Sequence, residues 1–313
     1  MFALAEGLGF RFETKALSYN RLRHIPFLRG PRLASLSRSS RRLIKPPWPD
    51  IVIGCGYVSV PIVRYIRRQS GGHTKVVLIG NPRTAVADID LLITTPQYAR
   101  APAPNVLALT FPMGDPAAAA APTATEEQWL APLPRPRRLI AVGGPARNWR
   151  IDRQELRRAI ASVVQRSDDD GGTVIVATSP RTDHRTKQMV DRMLGETRHQ
   201  VVCDFPRFAT LLARCDEFHI TADSVSMLSE AILTGKPVGM IPIRVSLRGM
   251  LTGWLIELGL LSRYLPDFPN FWNELRERKM VGAVERPAMG SAKNSVPIAV
   301  DAVLQLLDSR PTR

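Results

Sequence analysis

The densest run of chemically useful side chains lies at Thr221-Ala222-Asp223-Ser224-Val225-Ser226-Met227, with Glu230 one to two helical turns further on. An apolar run, Phe218–Thr221, enters a short polar turn, and a helix-like stretch, Ser224–Thr234, leaves it. Thr221, Asp223, Ser224 and Ser226 therefore sit where a helix begins, and the free backbone N–H groups and dipole of that end attract phosphate. A carboxylate at Glu230 has the chemistry to accept hydrogen bonds from two neighbouring ribose hydroxyls. The same residues also suit plain structure, with Asp223 or Ser224 capping the helix and Glu230 in solvent. Capping alone asks for neither Glu230 nor so many hydroxyls. Gly235-Lys236-Pro237 closes the helix with the expected glycine.

The elements that must carry this segment follow a repeated strand–helix rhythm. Ile51–Ile53, Val76–Ile79, Leu91–Ile93 and Val106–Leu109 read as buried parallel strands, with a helix over Val60–Arg68. Ala101–Pro136, with its Ala117–Ala121 tract and many prolines, reads as linker and surface loop around one helical piece, Glu126–Leu130. The rhythm then restarts. Strands are expected at Leu139–Val142, Thr173–Ala177, Gln200–Val202 and Val238–Ile241. Helices are expected at Asp152–Gln165, Asp183–Leu194 and Val296–Leu307. The fold class is α/β, two doubly wound Rossmann-like domains, with boundaries at 1–133 and 134–313.

Composition narrows the partners. The 313 residues carry a formal net charge of +15, which favours anionic ligands or surfaces, although the preponderance of arginine over lysine also fits a coding bias. Cys55, Cys203 and Cys215 have neither disulfide nor zinc spacing, which points to a reducing, cytoplasmic setting. The five histidines do not pair with cysteines or carboxylates as metal ligands would, and His219 reads as a core residue. No metal or other cofactor is expected. Gly54-Cys55-Gly56 lacks the third glycine of a dinucleotide fingerprint, and no Walker loop or Gly-x-Ser-x-Gly elbow occurs. The basic segment Arg21–Lys45 interleaves Arg21, Arg23, Arg29, Arg32, Arg38, Arg41 and Arg42 with Leu22, Ile25, Phe27, Leu28, Leu33 and Leu36. That pattern suits a solvated basic loop or one lying on an anionic membrane, peripheral on its inner face. With no RNA-binding aromatic motif beside it, nucleic acid is not an expected partner. Met250–Leu261, broken by Glu257 and two glycines, is too short to span a bilayer and reads as a core helix.

The segment Thr221–Met227 with Glu230-Ala231 and Thr234-Gly235-Lys236-Pro237-Val238 resembles the signature of the ELM1-like family. These are the mitochondrial-fission ELM1 proteins of plants and their bacterial relatives, some assigned as lipooligosaccharide glycosyltransferases. Trp48–Gly54 with Val60-Pro61-Ile62, Val77–Gly80 with Asn81-Pro82-Arg83, and Thr94–Tyr98 with Pro104-Asn105-Val106 resemble the family's N-terminal half. The family in turn resembles GT-B glycosyltransferases, whose C-terminal domain holds a nucleotide-diphosphate-sugar donor. The resemblance implies that Glu230 binds ribose and that Thr221, Asp223, Ser224 and Ser226 lie near the diphosphate. It implies that Gly143 and Gly144 admit close backbone approach, and that Ser179, Arg181 and Thr182 face the donor, Arg181 neutralising diphosphate charge. It implies a metal-independent transferase acting on a lipid-linked or cell-envelope acceptor, or a non-catalytic adaptor on a membrane surface. Two features depart from the family's pattern. Pro180-Arg181 replaces a pair of arginines, and Pro145–Trp149 replaces a serine and tyrosine after the double glycine. The chain also starts within the first helix of the pattern, at about Phe2–Gly9, so the N-terminal domain is expected to lack its first strand.

Overall fold

A computed structural model describes residues 1–25, 30–98, 101–114, 121–146, 148–258, 268–290 and 292–308. The chain forms two compact α/β units, one built from Met1–Met113 with Asn294–Arg313, the other from Gly114–Arg263 with Phe268–Lys293. Parts of the sequence reading fall on residues 27–29, 117–120, 147 and 259–261, which lie outside the described residues.

The first unit opens with helices α1 (Phe2–Gly7) and α2 (Arg38–Arg42). Strand β1 (Ile51–Cys55) leads into helix α3 (Gly56–Gln69), followed by β2 (Lys75–Ile79), β3 (Leu91–Thr94) and β4 (Val106–Ala108). The four strands pair in that order, all parallel. The β1–α3 turn explains the isolated Gly-Cys-Gly. A side chain at Gly54 would meet Ser59 Oγ at 2.8 Å, and Gly56 has a φ of 67°. Val60 and Val63 of α3 pack on Val76, Leu78 and Leu92 on one face of the sheet.

The basic segment is built into this unit. Leu36 and Ile44 are buried with Ile62 and Ile66, and Leu33 packs against them. Arg41 donates to the carbonyl oxygens of Leu36 (3.1 Å) and Ala34 (3.0 Å). Leu33 and Leu36 thus serve the core, while Leu22 and Leu43 are the segment's exposed large apolar residues among those described.

The second unit begins with helix α4 (Ala124–Leu130), a capping box in which Thr123 and Glu126 bond reciprocally. Strand β5 (Arg137–Val142), short strand β6 (Trp149–Ile151), helix α5 (Arg153–Asp169), strand β7 (Thr173–Thr178), helix α6 (His184–Leu194), strand β8 (Gln200–Val202) and helix α7 (Phe208–Arg214) follow. Then come β9 (Glu217–Thr221), α8 (Val225–Leu233), β10 (Val238–Ile241), β11 (Ile243–Val245), α9 (Leu247–Glu257) and α10 (Phe268–Glu277). The five strands of the main sheet are parallel in the order β10-β9-β5-β7-β8, the arrangement of a nucleotide-binding half. β6 and β11 form a separate antiparallel pair. Ile140, Val142, Val174 and Val176 meet Leu156 and Ile160 of α5 and Val190 of α6. Register pairs Leu139 with Phe218, leaving Phe218 and Ile220 for the opposite face. His219 is fully buried as a core residue, its Nε2 2.6 Å from Glu217 Oε1.

The last helix, α11 (Ser295–Asp308), returns to the first unit. Its Ala299 and Val303 pack with Leu4 and Leu8 of the N-terminal segment and with Val77, Leu91 and Ile93 of the sheet. Division at residue 133 therefore differs from the packing in two places. Helix α11 closes the first unit's second face, because its apolar stripe matches that of α1. Helix α4 belongs to the second unit, because Glu126 accepts from Arg207 N and Nε at 2.9 Å each, and Arg137 donates to Leu130 O at 2.9 Å. The chain also enters as helix α1, and its first sheet strand is β1.

Leu4→Ala should cost about 2–4 kcal/mol, since it opens a cavity shared by α1, α11 and the sheet. Urea unfolding measures this, and a shift below about 0.5 kcal/mol would contradict the shared core.

Candidate functional site

Strands β5 and β9 lie side by side, so their C-terminal ends deliver two loops to one place. Gly143 N donates to Thr221 Oγ1 (2.9 Å) and Gly144 N to Asp223 Oδ2 (2.9 Å), while Thr221 Oγ1 donates to Ala141 O (3.3 Å). A third loop joins from β7. Thr182 Oγ1 donates to Gly143 O (2.5 Å) and accepts from Ser179 N (2.9 Å), and Ser179 Oγ accepts from Arg181 N (3.2 Å). Seven of the ten expected residues, Gly143, Gly144, Ser179, Arg181, Thr182, Thr221 and Asp223, thus come together in one knot within the second unit.

The double glycine has a structural role in the knot. A side chain on Gly143 would lie 2.1 Å from Asp223 Oδ2, and one on Gly144 would lie 2.3 Å from Arg181 O. The missing side chains make room for Asp223 and for the Arg181 loop. Thr221, Asp223 and Thr182 are buried, each with a loop to hold.

Burial pushes the Asp223 carboxyl above its ordinary range, against the lowering pull of Thr221, Gly144 N and Arg181. Its Oδ1 has no hydrogen-bond partner among the described residues. Arg181 Nη2 stands 4.0 Å from Asp223 Oδ2, and the guanidinium is otherwise open to solvent. Ser224 is the N-cap of α8, its Oγ accepting from Met227 N (3.4 Å). Gly235, with φ 71°, ends that helix, and Lys236 Nζ donates to the carbonyl oxygens closing α7, including Leu212 O at 3.0 Å. The Gly-Lys-Pro part of the motif is therefore structural.

Two expected residues are left over. Ser226 is exposed in the first turn of α8, and Glu230, four positions on, shares its side of the helix. Glu230 is half-buried, no described residue hydrogen-bonds to it, and burial alone raises its pKa. A carboxylate kept partly out of water with nothing to bond lowers stability unless a ligand supplies donors.

Two further features escape sequence reading. A cavity of about 170 Å³ opens at the ends of β5, β7 and β8, walled by Val142, Ser179, Pro206, Phe208 and Met227. Its lining residues come from four separated segments, so no local pattern announces it. The second is an aromatic cluster of Trp149, Phe268 and Trp272, whose Trp272 Nε1 donates to Ala222 O (2.9 Å) and pins the β9–α8 turn from behind. Among the described residues no three His, Cys, Asp or Glu side chains gather as a metal site.

A family model for mitochondrial fission ELM1 matches residues 1–252, taking in both halves of the knot and all of α8. The chain belongs to the mitochondrial fission ELM1 family. Over 226 residues it is 26% identical to the mitochondrial fission protein ELM1 of Arabidopsis thaliana, a match covering 64% of this chain and 53% of that protein. The chain thus spans about half the length of this ELM1 relative. Among solved structures, it is similar to UDP-GlcNAc 2-epimerase from Neisseria meningitidis bound to UDP-GlcNAc. That match has 12% identity and a TM-score of 0.45, covering 84% of this chain and 77% of the other. The epimerase from Methanocaldococcus jannaschii matches at 10% identity and a TM-score of 0.46, covering 82% and 77%. The Polygonum tinctorium UDP-glucosyltransferase matches at 16% identity and a TM-score of 0.37, covering 71% and 54%.

Opposite stability effects should separate knot from leftover. Asp223→Ala should destabilise by about 1–3 kcal/mol, because Gly144 N loses its buried acceptor. Glu230→Gln should raise the melting temperature at neutral pH. For a carboxyl whose folded pKa lies above its unfolded value, the folded state binds the proton more tightly. Stability then falls as pH rises from the unfolded value through the folded one, and the deficit persists above it. Thermal melts from pH 4 to pH 8 should therefore show a shallower decline for Glu230→Gln than for wild type. Parallel curves would refute the unpartnered state of Glu230.

Proposed function

We propose that this ELM1-family chain binds a nucleotide-diphosphate-sugar at the head of α8 and transfers its sugar without a metal, using a lipid-linked or cell-envelope acceptor. The observation that carries this reading is Glu230, a half-buried carboxylate without a hydrogen-bond partner among the described residues, on the same side of α8 as the exposed Ser226. The diphosphate lies at the N-terminal turn of α8, where backbone N–H groups and the helix dipole favour anions. Arg181, exposed and only 4.0 Å from the buried Asp223, supplies the compensating positive charge and stabilises the departing diphosphate. Glu230 accepts from the ribose hydroxyls, and the slot beside Phe208 and Met227 takes the flat base.

A second reading is that the chain is a non-catalytic adaptor at a membrane surface that recruits a protein partner. The specific support is that Gly143, Gly144, Asp223, Thr182 and Ser224 already bond one another or their own backbone. The matching Arabidopsis protein is itself described by a role in mitochondrial fission.

Calorimetric titration with nucleoside diphosphates distinguishes the two. The donor reading expects wild-type binding, weakened roughly ten- to a hundredfold in Glu230→Ala by loss of a charge-assisted hydrogen bond, and less in Glu230→Gln. Arg181→Ala should weaken nucleoside diphosphates but leave the nucleoside nearly unaffected. Equal affinities across wild type and variants, or no wild-type binding, would remove the donor site and leave the adaptor.

A further inference from the structure

Helix α9 shows an apolar stripe to solvent. Ser246 caps it, its Oγ accepting from Gly249 N (3.1 Å), and Ser246 N donates to Asn148 O (2.8 Å). Gly249 is buried, and a side chain there would come within 2.2 Å of Asn148 O, so the helix lies directly on the turn that precedes β6. That contact fixes the rotation of the helix. Leu247, Met250, Leu251, Trp254 and Leu258 recur at intervals of three, one, three and four residues, which places them on the side opposite Gly249. Leu247 is 81% exposed, Met250 63% and Trp254 56%. A helix of a soluble domain turns such a stripe inward, and a contiguous exposed one marks an interaction surface.

The charges around the stripe choose the partner. Arg248 is exposed on the helix itself. Arg244 of β11 and Arg150 of β6 are direct cross-strand partners, both exposed, and Asp152 pairs with Arg244. Like charges set opposite one another are unfavourable unless anions answer them. An apolar stripe that includes a tryptophan, with Arg248 on the same helix and Arg244 and Arg150 on the strand pair that leads into it, matches the layered chemistry of an anionic bilayer surface, acyl chains below and phosphates above. Eleven residues make a helix about 16 Å long, enough to lie in the interface and too short to cross it. Among the described residues no helix is long and apolar enough to cross a membrane.

We infer that α9 is an interfacial membrane-docking helix. Leu247, Met250, Leu251, Trp254 and Leu258 enter the acyl boundary, while Arg150, Arg244 and Arg248 meet headgroup phosphates. This site is separate from the Arg21–Lys45 segment, whose Leu33, Leu36 and Ile44 are used in the first unit's core, and it does not depend on the donor reading.

The test uses the whole chain and vesicles of phosphatidylcholine with or without phosphatidylglycerol. Wild type should co-sediment with the phosphatidylglycerol vesicles, and added salt should weaken this. A triple variant, Leu247→Gln, Leu251→Gln and Trp254→Gln, should lose roughly tenfold or more of its partitioning. Its melting temperature and nucleotide affinity should stay at the wild-type values, because these side chains are already in solvent. Arg150→Gln with Arg248→Gln should remove much of the preference for anionic vesicles. Failure of wild type to bind either vesicle would overturn the inference, as would a triple variant that binds like wild type. A wild-type dimer in sedimentation equilibrium that the triple variant dissolves, with no vesicle binding, would also overturn it in favour of a second copy of the chain.

Discussion

A buried carboxylate, Asp223, holds the second unit's strand ends in register with the loops that leave them. Its Oδ2 takes the N–H of Gly144, at a position where any side chain on Gly143 or Gly144 would collide with Asp223 or the Arg181 carbonyl. Without that acceptor the glycine turn would hold an unsatisfied N–H in a protein interior, a cost comparable to the bond itself. Thr221 and Thr182 repeat the pattern on either side, each using one hydroxyl to join two loops. Trp272 supports the turn from behind through Ala222 O. The head of α8 is therefore tied to the loops that leave β5 and β7 and to Trp272.

That network divides the polar residues of the motif. The buried ones, Thr221, Asp223, Ser224 and Thr182, have internal partners. Ser226 and Arg181 are exposed and Glu230 is half-buried. Arg181 joins the two groups, since its backbone N–H is held by Ser179 while its guanidinium stands free of any bond shorter than 4.0 Å to Asp223. A motif can thus be strict in sequence for reasons of packing while only a few of its members face chemistry. This is why membership of the ELM1 family by itself leaves both a transferase and an adaptor open.

Two segments exchange their apparent roles. Arg21–Lys45 has the composition of a surface-binding strip, yet Leu36 and Ile44 are buried against α3. Met250–Leu261 has the composition of a core helix, yet Met250, Leu251, Trp254 and Leu258 are exposed. Composition reports how apolar a segment is, not which direction it faces. In α9 the direction is set by Gly249, which rests on Asn148 O where a side chain would collide, whereas Gly253 of the same helix has open space beside it. In the basic segment it is set by Arg41, which turns its guanidinium back onto the Ala34 and Leu36 carbonyl groups.

The amino-acid sequence by itself determined the α/β class, nearly every strand and the helices beginning at Asp152, Asp183 and Ser224. These depend on local signals: runs of β-branched residues, N-caps and a closing glycine act within a few residues of chain. It also determined that Thr221–Glu230 is the informative segment, because strand, polar turn and helix start are contiguous there. Only the tertiary structure decided what each residue of that segment does. The partners of Asp223 and Thr182 lie 79 and 39 residues away, and no local pattern encodes such a distance. The same holds for the slot at Phe208 and Met227, and for α11, whose apolar stripe fits either unit until α1 offers Leu4 and Leu8. Periodicity shows that a helix has an apolar face; which surface covers it, or whether it stays in solvent, depends on contacts between segments far apart in the chain.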